Sequence, residues 1–461
     1  MLGRHSALLY ITLPLVLALC LVATASELHA LPPVERSLLS NGLVFLACRE
    51  PSLPFVTIHL LIDAGSSKDP KGREGLADLT SRVVTLGTAK RSAAEISDTL
   101  DYMGASLVAG ANKDFSTLSL RILKKDLDQG LTLLMEVIRE PTFPVDEVRR
   151  EKIKKLAAIQ SDEDRPGHVA QKAFDKRLFG DGPYGHPTEG TKESVAELGQ
   201  EDVARFFRDY YLPNNSILAV VGDIEAASID RLKGLMEGWP KGILPAAKES
   251  KGIADAGGTI AINRPVTQSN IIVGHGGINR GNPDYYPVSV MNYILGGGGF
   301  SSRLTEEIRN KKGLAYSVQS FFDARRSPGP FEIVLQTKNA SGRDAIALAL
   351  EGMRLMQVQP VSEKELEGAK KYLVGSFPLR LNTQRKIAAF LTLVEYFGLG
   401  LDYPEKYPSL INAVSREDVL RVAREYLHPD RCILVIVADL KQAEVEEEGA
   451  TGAPRTERRA P

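Results

Sequence analysis

Apolar and polar residues alternate with a period of two in two short segments of the chain, 56–63 and 118–122. This alternation predicts β-strands with one buried face. The pair Asn41-Gly42 lies between apolar flanks and predicts the turn of a β-hairpin. Pro144 predicts the first turn of an amphipathic helix that runs through Lys155 and beyond. Hairpin strands combined with long helices indicate the α+β class, with helices on one face of a mainly antiparallel sheet.

The sequence repeats itself at one constant offset, which indicates a duplication. Residues 201–205 match residues 417–421, and the apolar run 217–221 matches 433–437. A second block in the same register relates Pro144, Val145, Glu147, Glu151, Lys154 and Lys155 to Pro360, Val361, Glu363, Glu367, Lys370 and Lys371. Two distant blocks in one register, with no gap between them, predict two homologous halves.

The first half is predicted to span residues 30–240 and the second half residues 258–440. Residues 241–257 are rich in Lys, Ala, Gly and Pro and have no periodic apolar pattern, so they are predicted to be a linker. The charged segment 441–461 contains Gly and Pro and is predicted to be a disordered tail.

The N-terminus has the composition of a secretory signal peptide, residues 1–25. The pair Arg4-His5 precedes an apolar run over 7–22, and residues 23–25 read Ala-Thr-Ala, which offers a cleavage site. An uncleaved membrane anchor is one alternative, although the run is short for a span. Lipidation at Cys20 is another, although the residue before it is larger than usual. We expect secretion across the inner membrane, into the bacterial periplasm.

The 461-residue chain has a formal net charge of −1, with 43% hydrophobic and 25% charged residues, as in an ordinary globular protein. It has no basic run, so it offers no general attraction for nucleic acid or anionic lipid. After the signal peptide only Cys48 and Cys432 remain, without metal-ligand spacing. We expect two small buried hydrophobic side chains, and a disulfide between them is the alternative. The histidines, including His59, also lack ligand spacing and are expected to be structural.

Several short motifs follow one another along the chain. In the first half they are Asn41-Gly42, Glu74-Gly75-Leu76-Ala77, Leu86-Gly87-Thr88, Gly180-Asp181-Gly182-Pro183-Tyr184-Gly185 and Tyr211-Leu212-Pro213-Asn214-Asn215. In the second half they are residues 295–299 and the run Gly313-Leu314-Ala315-Tyr316-Ser317-Val318. Their order and spacing resemble the M16 metallopeptidases, the family of pitrilysin, insulysin and the mitochondrial processing peptidase. The resemblance implies the fold of that family, in which a two-halved chain forms one side of a clamshell.

Active members of this family carry H-x-x-E-H directly after the Gly-Leu-Ala segment, with two zinc-binding histidines and a glutamate as general base. The resemblance places Asp78, Ser81 and Arg82 at these positions. It also implies a further zinc-binding glutamate within 156–160, where the chain has no carboxylate. Arg82 is a permanent cation and cannot ligate a metal. We expect Asp78 and Arg82 to form an ordinary helix-surface ion pair worth about 0.2–0.5 kcal/mol, no metal in this degenerate site, and zinc only in a catalytic partner.

The resemblance also assigns roles in the second half. Arg309 and Tyr316 match a pair that reaches the zinc site of active members, binds substrate and stabilises the developing oxyanion, a task that suits a fixed cation and a phenolic donor. Without the resemblance, a solvent-exposed arginine at a helix end and a half-buried strand tyrosine are the simpler interpretation. A run of four glycines matches sequence near the substrate path of several relatives: Gly296, Gly297, Gly298 and Gly299. Backbone clearance after a helix is the alternative for these glycines.

Three hypotheses about function remain open at this point. The first is a zinc-free partner subunit of a heteromeric zinc endopeptidase. In this hypothesis an H-x-x-E-H paralogue holds the metal, and this chain binds unfolded peptide and supplies Arg309 and Tyr316 in trans. Extended peptide would add to a sheet edge inside the chamber. The second hypothesis is a peptide-binding or assembly protein with no enzymatic partner, and the third is independent hydrolysis through an unrecognised site.

Overall fold

The computed structural model describes residues 31–246, 253 and 257–445. The predicted signal peptide lies outside these residues, as do parts of the predicted linker and tail. Residues 441–443 of the predicted tail belong to a short helix that ends at Ala443, where two side chains are buried. The ordered second half therefore extends at least to that helix.

Two sheets form the framework of the described residues. The first has the strand order β1 (Val34–Leu38), β2 (Val44–Arg49), β6 (Ser216–Gly222), β3 (Phe55–Ile62), β5 (Ser116–Leu123) and β4 (Ser106–Ala111). The second has the order β7 (Gly258–Asn263), β11 (Ile433–Ala438), β8 (Gln268–Gly276), β10 (Pro330–Lys338) and β9 (Ala315–Phe322). In each sheet one pair is parallel, β2 with β6 and β7 with β11, and the other pairs are antiparallel. Apart from β1, the two orders are the same, which confirms the α+β class with two similarly built halves.

Helices and strands follow one another in a similar order along the chain in the two halves. Those of the first half are α1 (Leu76–Val83), α2 (Ala93–Met103), α3 (Leu127–Arg139), α4 (Val145–Glu163), α5 (Pro166–Phe179), α6 (Lys192–Ala196), α7 (Gln200–Tyr210) and α8 (Ala226–Glu237). Those of the second half are α9 (Tyr285–Asn292), α10 (Gly342–Val358), α11 (Glu363–Ser376), α12 (Gln384–Tyr396), α13 (Tyr403–Asn412), α14 (Arg416–Tyr426) and α15 (Leu440–Ala443). Two π-helical segments, Tyr293–Gly297 and Thr305–Lys311, follow α9.

One helix from each half packs against the sheet of the other half. Helix α5 packs on β8 and β11 of the second sheet, and α12 packs on β3 and β6 of the first. On α5, Ala170, Phe174 and Leu178 recur every four residues and form one apolar stripe. The ring of Phe174 packs closely on β8 because Gly274 has no side chain. A Cβ at Gly274 would lie 2.7 Å from Phe174 Cζ. The two halves are therefore joined by reciprocal helix-to-sheet packing.

This arrangement corrects two expectations from the sequence. Helices cover both faces of the central strands instead of one face. Strand β3 was expected to have a single buried face, yet residues 56–62 are all buried, including His59. The physical reason is that α12 covers the second face of β3, and burial lowers the pKa of His59 to about 4. The one-sided pattern is confirmed for β5, where buried residues alternate with half-buried ones.

Other local predictions hold. The hairpin at Asn41-Gly42 joins β1 and β2, and the helix expected after Pro144 is α4. Cys48 and Cys432 are buried free thiols, so the disulfide alternative is excluded by the structure. Burial raises the pKa of Cys48 to about 11 and that of Cys432 to about 12, which leaves both protonated and unreactive at neutral pH.

A buried polar cluster lies where α5 meets the second sheet. Gln171 donates its amide to Asp175 at 3.2 Å and to Glu332 of β10 at 3.0 Å. Glu332 is 1% exposed, and its second carboxylate oxygen has no hydrogen-bond partner among the described residues. Burial, with the nearby charge of Asp175, raises the pKa of Glu332 to about 8. The contact between the halves is therefore favoured when Glu332 carries a proton.

We predict that Glu332→Gln removes a pH dependence of stability. In the unfolded chain this carboxyl ionises near its ordinary pKa of 4.5, whereas in the folded chain it ionises near 8. Its stabilising contribution is therefore fully present below pH 4.5 and is lost as the pH rises towards 8. At pH 8.5 the variant should exceed the wild type in free energy of unfolding by on the order of 5 kcal/mol.

Equilibrium urea unfolding at pH 5.5, 7.0 and 8.5 measures this difference. Glu351→Gln, at an exposed position of α10, is the matched control and should follow the wild-type profile. Parallel pH profiles for the wild type and Glu332→Gln would contradict the prediction.

Candidate functional site

The first candidate site lies on α1, whose position is fixed at its N-terminus. Gly75, just before the helix, has φ +94°, and a Cβ there would collide with the carbonyl oxygen of Glu189. The buried carboxylate of Asp69 accepts hydrogen bonds from the backbone N–H groups of Gly75 at 2.7 Å and Ala77 at 2.8 Å. It thereby satisfies two N–H donors that have no partner within the helix. This anchoring determines where the side chains of α1 lie.

The three predicted residues of the degenerate metal site lie together on α1. Asp78 is only 8% exposed, and its carboxylate accepts a hydrogen bond from Arg82 Nε at 2.8 Å. Ser81 donates its hydroxyl to the carbonyl oxygen of Asp78 at 2.8 Å. The same carboxylate oxygen of Asp78 forms an ion pair with Lys155 of α4, a residue that is 3% exposed. The predicted ion pair between Asp78 and Arg82 is therefore confirmed, but its ordinary helix-surface character is wrong, because the carboxylate is buried and is shared by two cations.

The electrostatics of this cluster follow from burial and pairing. Burial lowers the pKa of Lys155, while the charge and hydrogen bond of Asp78 oppose that shift. Burial also acts to lower the pKa of Arg82, but the hydrogen bond and charge of Asp78 outweigh it and raise the pKa. Two positive charges therefore converge on one carboxylate, and the ammonium of Lys155 satisfies the charge of Asp78.

The residues of this cluster do not fit a zinc ion. A lysine and an arginine repel a divalent cation, and Asp78 alone offers too few donor atoms. Across the part of the chain that the structure describes, no three His, Cys, Asp or Glu side chains are grouped so as to hold a metal. No step of metal chemistry can be derived for this site.

The role of Lys155 was not predicted from the sequence, although its spacing along α4 indicated a buried position. On α4 the buried residues are Val148, Lys155 and Ile159, which are spaced by seven and four positions and therefore share one helix face. A lysine on an apolar helix face requires a buried partner, because an unpaired buried charge is too costly. That spacing predicts a buried pair, but it does not identify Asp78 as the partner.

The second candidate site lies where a π-helical segment turns into β9. Gly313 has φ +63° and allows the chain to reverse, so Arg309 comes close to Tyr316. The guanidinium carbon of Arg309 lies 5.3 Å from the centre of the Tyr316 ring and 4.8 Å from that of Phe300. Tyr316 is 76% exposed, not half-buried, and Phe300 is 74% exposed. The predicted pair is thus brought together at the surface, with Phe300 as an additional member.

The guanidinium of Arg309 has no hydrogen bond or ion pair within the described residues. The carboxylates of its own helical segment are occupied by other side chains. Asn310 donates to Glu306 at 2.8 Å, and Lys311 forms an ion pair with Glu307. Arg309 is therefore held only by its two ring contacts, and its N–H donors are available to a ligand.

The four glycines have steric reasons for lacking a side chain. A Cβ at Gly296 would lie 2.7 Å from the backbone nitrogen of Ser320, and one at Gly297 would lie 2.7 Å from the side-chain amide of Asn292. Gly298 is packed in the same way against Tyr293, and Gly299 has φ +58°. The structure therefore favours the backbone-clearance interpretation, and a role of the run in substrate binding stays a prediction.

The two candidate sites are separate in this chain. The Asp78 cluster lies between α1 and α4 of the first half, and the Arg309–Tyr316 pair lies at the outer strand of the second sheet. Within the described residues, no hydrogen bond, ion pair or ring contact joins them. None of the helices in the described ranges is long and apolar enough to span a bilayer.

Comparisons with known proteins agree with this fold. Residues 44–192 match the family model described as insulinase (peptidase family M16), and residues 197–373 match the model described as peptidase M16 inactive domain. The first match includes the Asp78 cluster, and the second includes Arg309, Tyr316 and the glycine run.

Relatives of similar length also match. An uncharacterized zinc protease of Streptomyces coelicolor is 26% identical, with 87% of this chain and 88% of the relative covered. A Helicobacter pylori protein described as a non-peptidase homologue is 26% identical, with 85% of this chain and 90% of the relative covered. The crystal structure of a peptidase M16 inactive domain from Pseudomonas fluorescens is 30% identical, with a TM-score of 0.83, and 88% of this chain and 98% of that one are covered. The chain therefore belongs to the insulinase family of peptidases, M16.

Proposed function

We propose that this protein is the zinc-free subunit of a heteromeric M16 endopeptidase. In this proposal an H-x-x-E-H paralogue holds the zinc, and the present chain binds unfolded peptide and supplies Arg309 and Tyr316 to the partner's metal site. Both proteins would act in the bacterial periplasm after removal of the signal peptide. The observation that carries the proposal is the contrast between the two sites: the cations of the first exclude a metal, while the guanidinium of Arg309 in the second has no hydrogen bond or ion pair among the described residues.

The chemistry of the second site suits such a role. A guanidinium is a permanent cation with five N–H donors, and a phenol donates one hydrogen bond. Both stabilise an oxygen atom on which negative charge develops. Since Arg309 donates no hydrogen bond to any of the residues that the structure describes, its N–H donors remain available to a peptide or to a reacting carbonyl group.

A second candidate is a peptide-binding or assembly protein without an enzymatic partner. The similarity to the non-peptidase homologue of Helicobacter pylori favours it. The two functions differ in one result: the first predicts hydrolysis when a paralogue is added, and the second predicts peptide binding without hydrolysis in any mixture.

We predict that adding a purified H-x-x-E-H paralogue to this chain yields chelator-sensitive peptidase activity greater than that of either protein alone. Arg309→Ala and Tyr316→Phe should each lower kcat about 100-fold, because each removes a donor that stabilises the developing negative charge. Cleavage of a fluorogenic unfolded peptide measures kcat, and size-exclusion chromatography measures complex formation, which should not change.

Arg385→Ala is the matched control for this experiment. Arg385 is an exposed arginine of α12 whose side chain has no partner among the described residues, so the variant should keep wild-type turnover. Unchanged turnover in both site variants would remove the proposed role of the pair. An inactive mixture in which the two proteins still form a complex would favour the second candidate function.

We predict that Lys155→Met destabilises the fold by roughly 3–5 kcal/mol, because it leaves the buried carboxylate of Asp78 without its ammonium partner. The double variant Lys155→Met/Asp78→Leu should recover most of this loss, because it removes both buried charges. Urea unfolding measures the free energies, and zinc content is measured in parallel and should stay substoichiometric in every variant.

Lys154→Met is the matched control, since Lys154 is exposed and forms an ion pair with Glu151 on the helix surface. Its loss of stability should be within about 0.5 kcal/mol. Additive losses in the double variant would show that Lys155 and Asp78 do not depend on one another. Stoichiometric zinc in the wild-type chain would contradict the assignment of the first site.

A further inference from the structure

Phe300 was not among the residues that the sequence indicated, yet it contacts the central residue of the second site. It follows the glycine run directly, and its ring is 74% exposed. The guanidinium of Arg309 lies within 5.3 Å of the ring centres of both Phe300 and Tyr316, inside the range of a cation–π contact. Phe300 is thus an exposed phenylalanine in contact with an arginine that has no hydrogen bond or ion pair in the described part of the chain.

The significance of this contact lies in what a cation–π interaction leaves free. It uses the charge of the guanidinium and consumes none of its N–H donors. A carboxylate neighbour would hold the side chain in place too, but it would occupy those donors. The nearby carboxylates of Glu306 and Glu307 are instead bound by Asn310 and Lys311. The two rings therefore restrict the movement of Arg309 and keep its hydrogen-bonding capacity intact.

The surroundings indicate what kind of ligand this arrangement fits. Tyr316 lies on β9, the outer strand of the second sheet. Farther along β9, the carbonyl oxygens of Ser320 and Val318 accept hydrogen bonds from the side chains of Asn292 and Thr305, so the strand edge there is occupied and the guanidinium of Arg309 is the group left for a ligand. A guanidinium with free donors matches a carboxylate best, because the two groups form paired, charge-assisted hydrogen bonds.

We propose that Phe300, Arg309 and Tyr316 form a carboxylate-binding site for a peptide, with Phe300 as the positioning residue for Arg309. The carboxylate belongs either to the C-terminus of the peptide or to an Asp or Glu side chain. The inference rests on the proposed function, because it specifies the chemical group that the peptide-binding site selects.

Three synthetic peptides of one neutral sequence test this proposal with the full chain. All are acetylated at the N-terminus: the first has a free C-terminal carboxylate, the second a C-terminal amide, and the third an amide together with one internal Glu. Isothermal titration calorimetry at low ionic strength gives the dissociation constants. At least one carboxylate peptide should bind about tenfold more tightly than the neutral peptide, as expected for one charge-assisted contact. Which of the two binds more tightly identifies the source of the carboxylate.

The variants separate the roles of the two side chains. Arg309→Ala should abolish the preference for carboxylate, so that the three peptides bind this variant with equal affinity. Phe300→Leu, which keeps an apolar side chain but removes the ring, should reduce the preference at least threefold. Phe300→Tyr should restore it. Tyr102→Leu, at an exposed tyrosine of the first half, is the matched control and should bind all three peptides like the wild type.

Several results would overturn the proposal. These are equal affinities for the three peptides, a carboxylate preference that survives Arg309→Ala or Phe300→Leu, failure of Phe300→Tyr to restore it, and no binding of any peptide. The result of this peptide-binding experiment does not depend on the result of the peptidase assay. Carboxylate-selective binding without activity in any mixture refutes the proposed function alone, whereas restored activity without selectivity refutes this inference alone.

Discussion

The reciprocal packing of α5 and α12 is the constraint on which the rest of the structure depends. Each sheet has its own helices on one face and receives a helix from the other half on the opposite face. The side chains that line these contacts include small and apolar ones, such as Cys48 and Val221 in the first sheet. Removing either helix would expose an apolar sheet face, so neither half has a complete core by itself. The halves are therefore expected to act as one rigid unit.

The same packing explains where the buried polar groups lie. A helix that covers the sheet of another half brings its polar residues along with its apolar stripe. Asp175 and Gln171 of α5 thereby meet Glu332 of β10, and Gln384 at the start of α12 donates hydrogen bonds to the backbone of residues 50 and 53. These polar contacts give the contact between the halves a defined register, which apolar packing alone specifies less strictly.

The sequence predicted local features better than it predicted long-range ones. Alternation identified β5, and Asn41-Gly42 identified the first hairpin, because both signals act within a few residues. The double burial of β3 was missed, because it results from a helix more than 300 residues away in the chain. Lys155 was missed for a similar reason: its own helix face shows that it is buried, while its partner lies on another helix. Phe300 was missed because only the folded turn brings it to Arg309.

The two candidate sites illustrate how environment decides the role of a cation. Lys155 is buried, and its charge is paired with that of Asp78. The pair stabilises the packing of α4 against α1, so the ammonium group is not available to a ligand. Arg309 lies at the surface, where two aromatic rings hold it without occupying its donors. A charge that is already neutralised within the fold attracts a ligand less strongly than a surface charge that has no ion pair. The two halves thus share a strand order but differ in charge pairing: among the described residues Lys155 is paired with Asp78, whereas Arg309 contacts only aromatic rings.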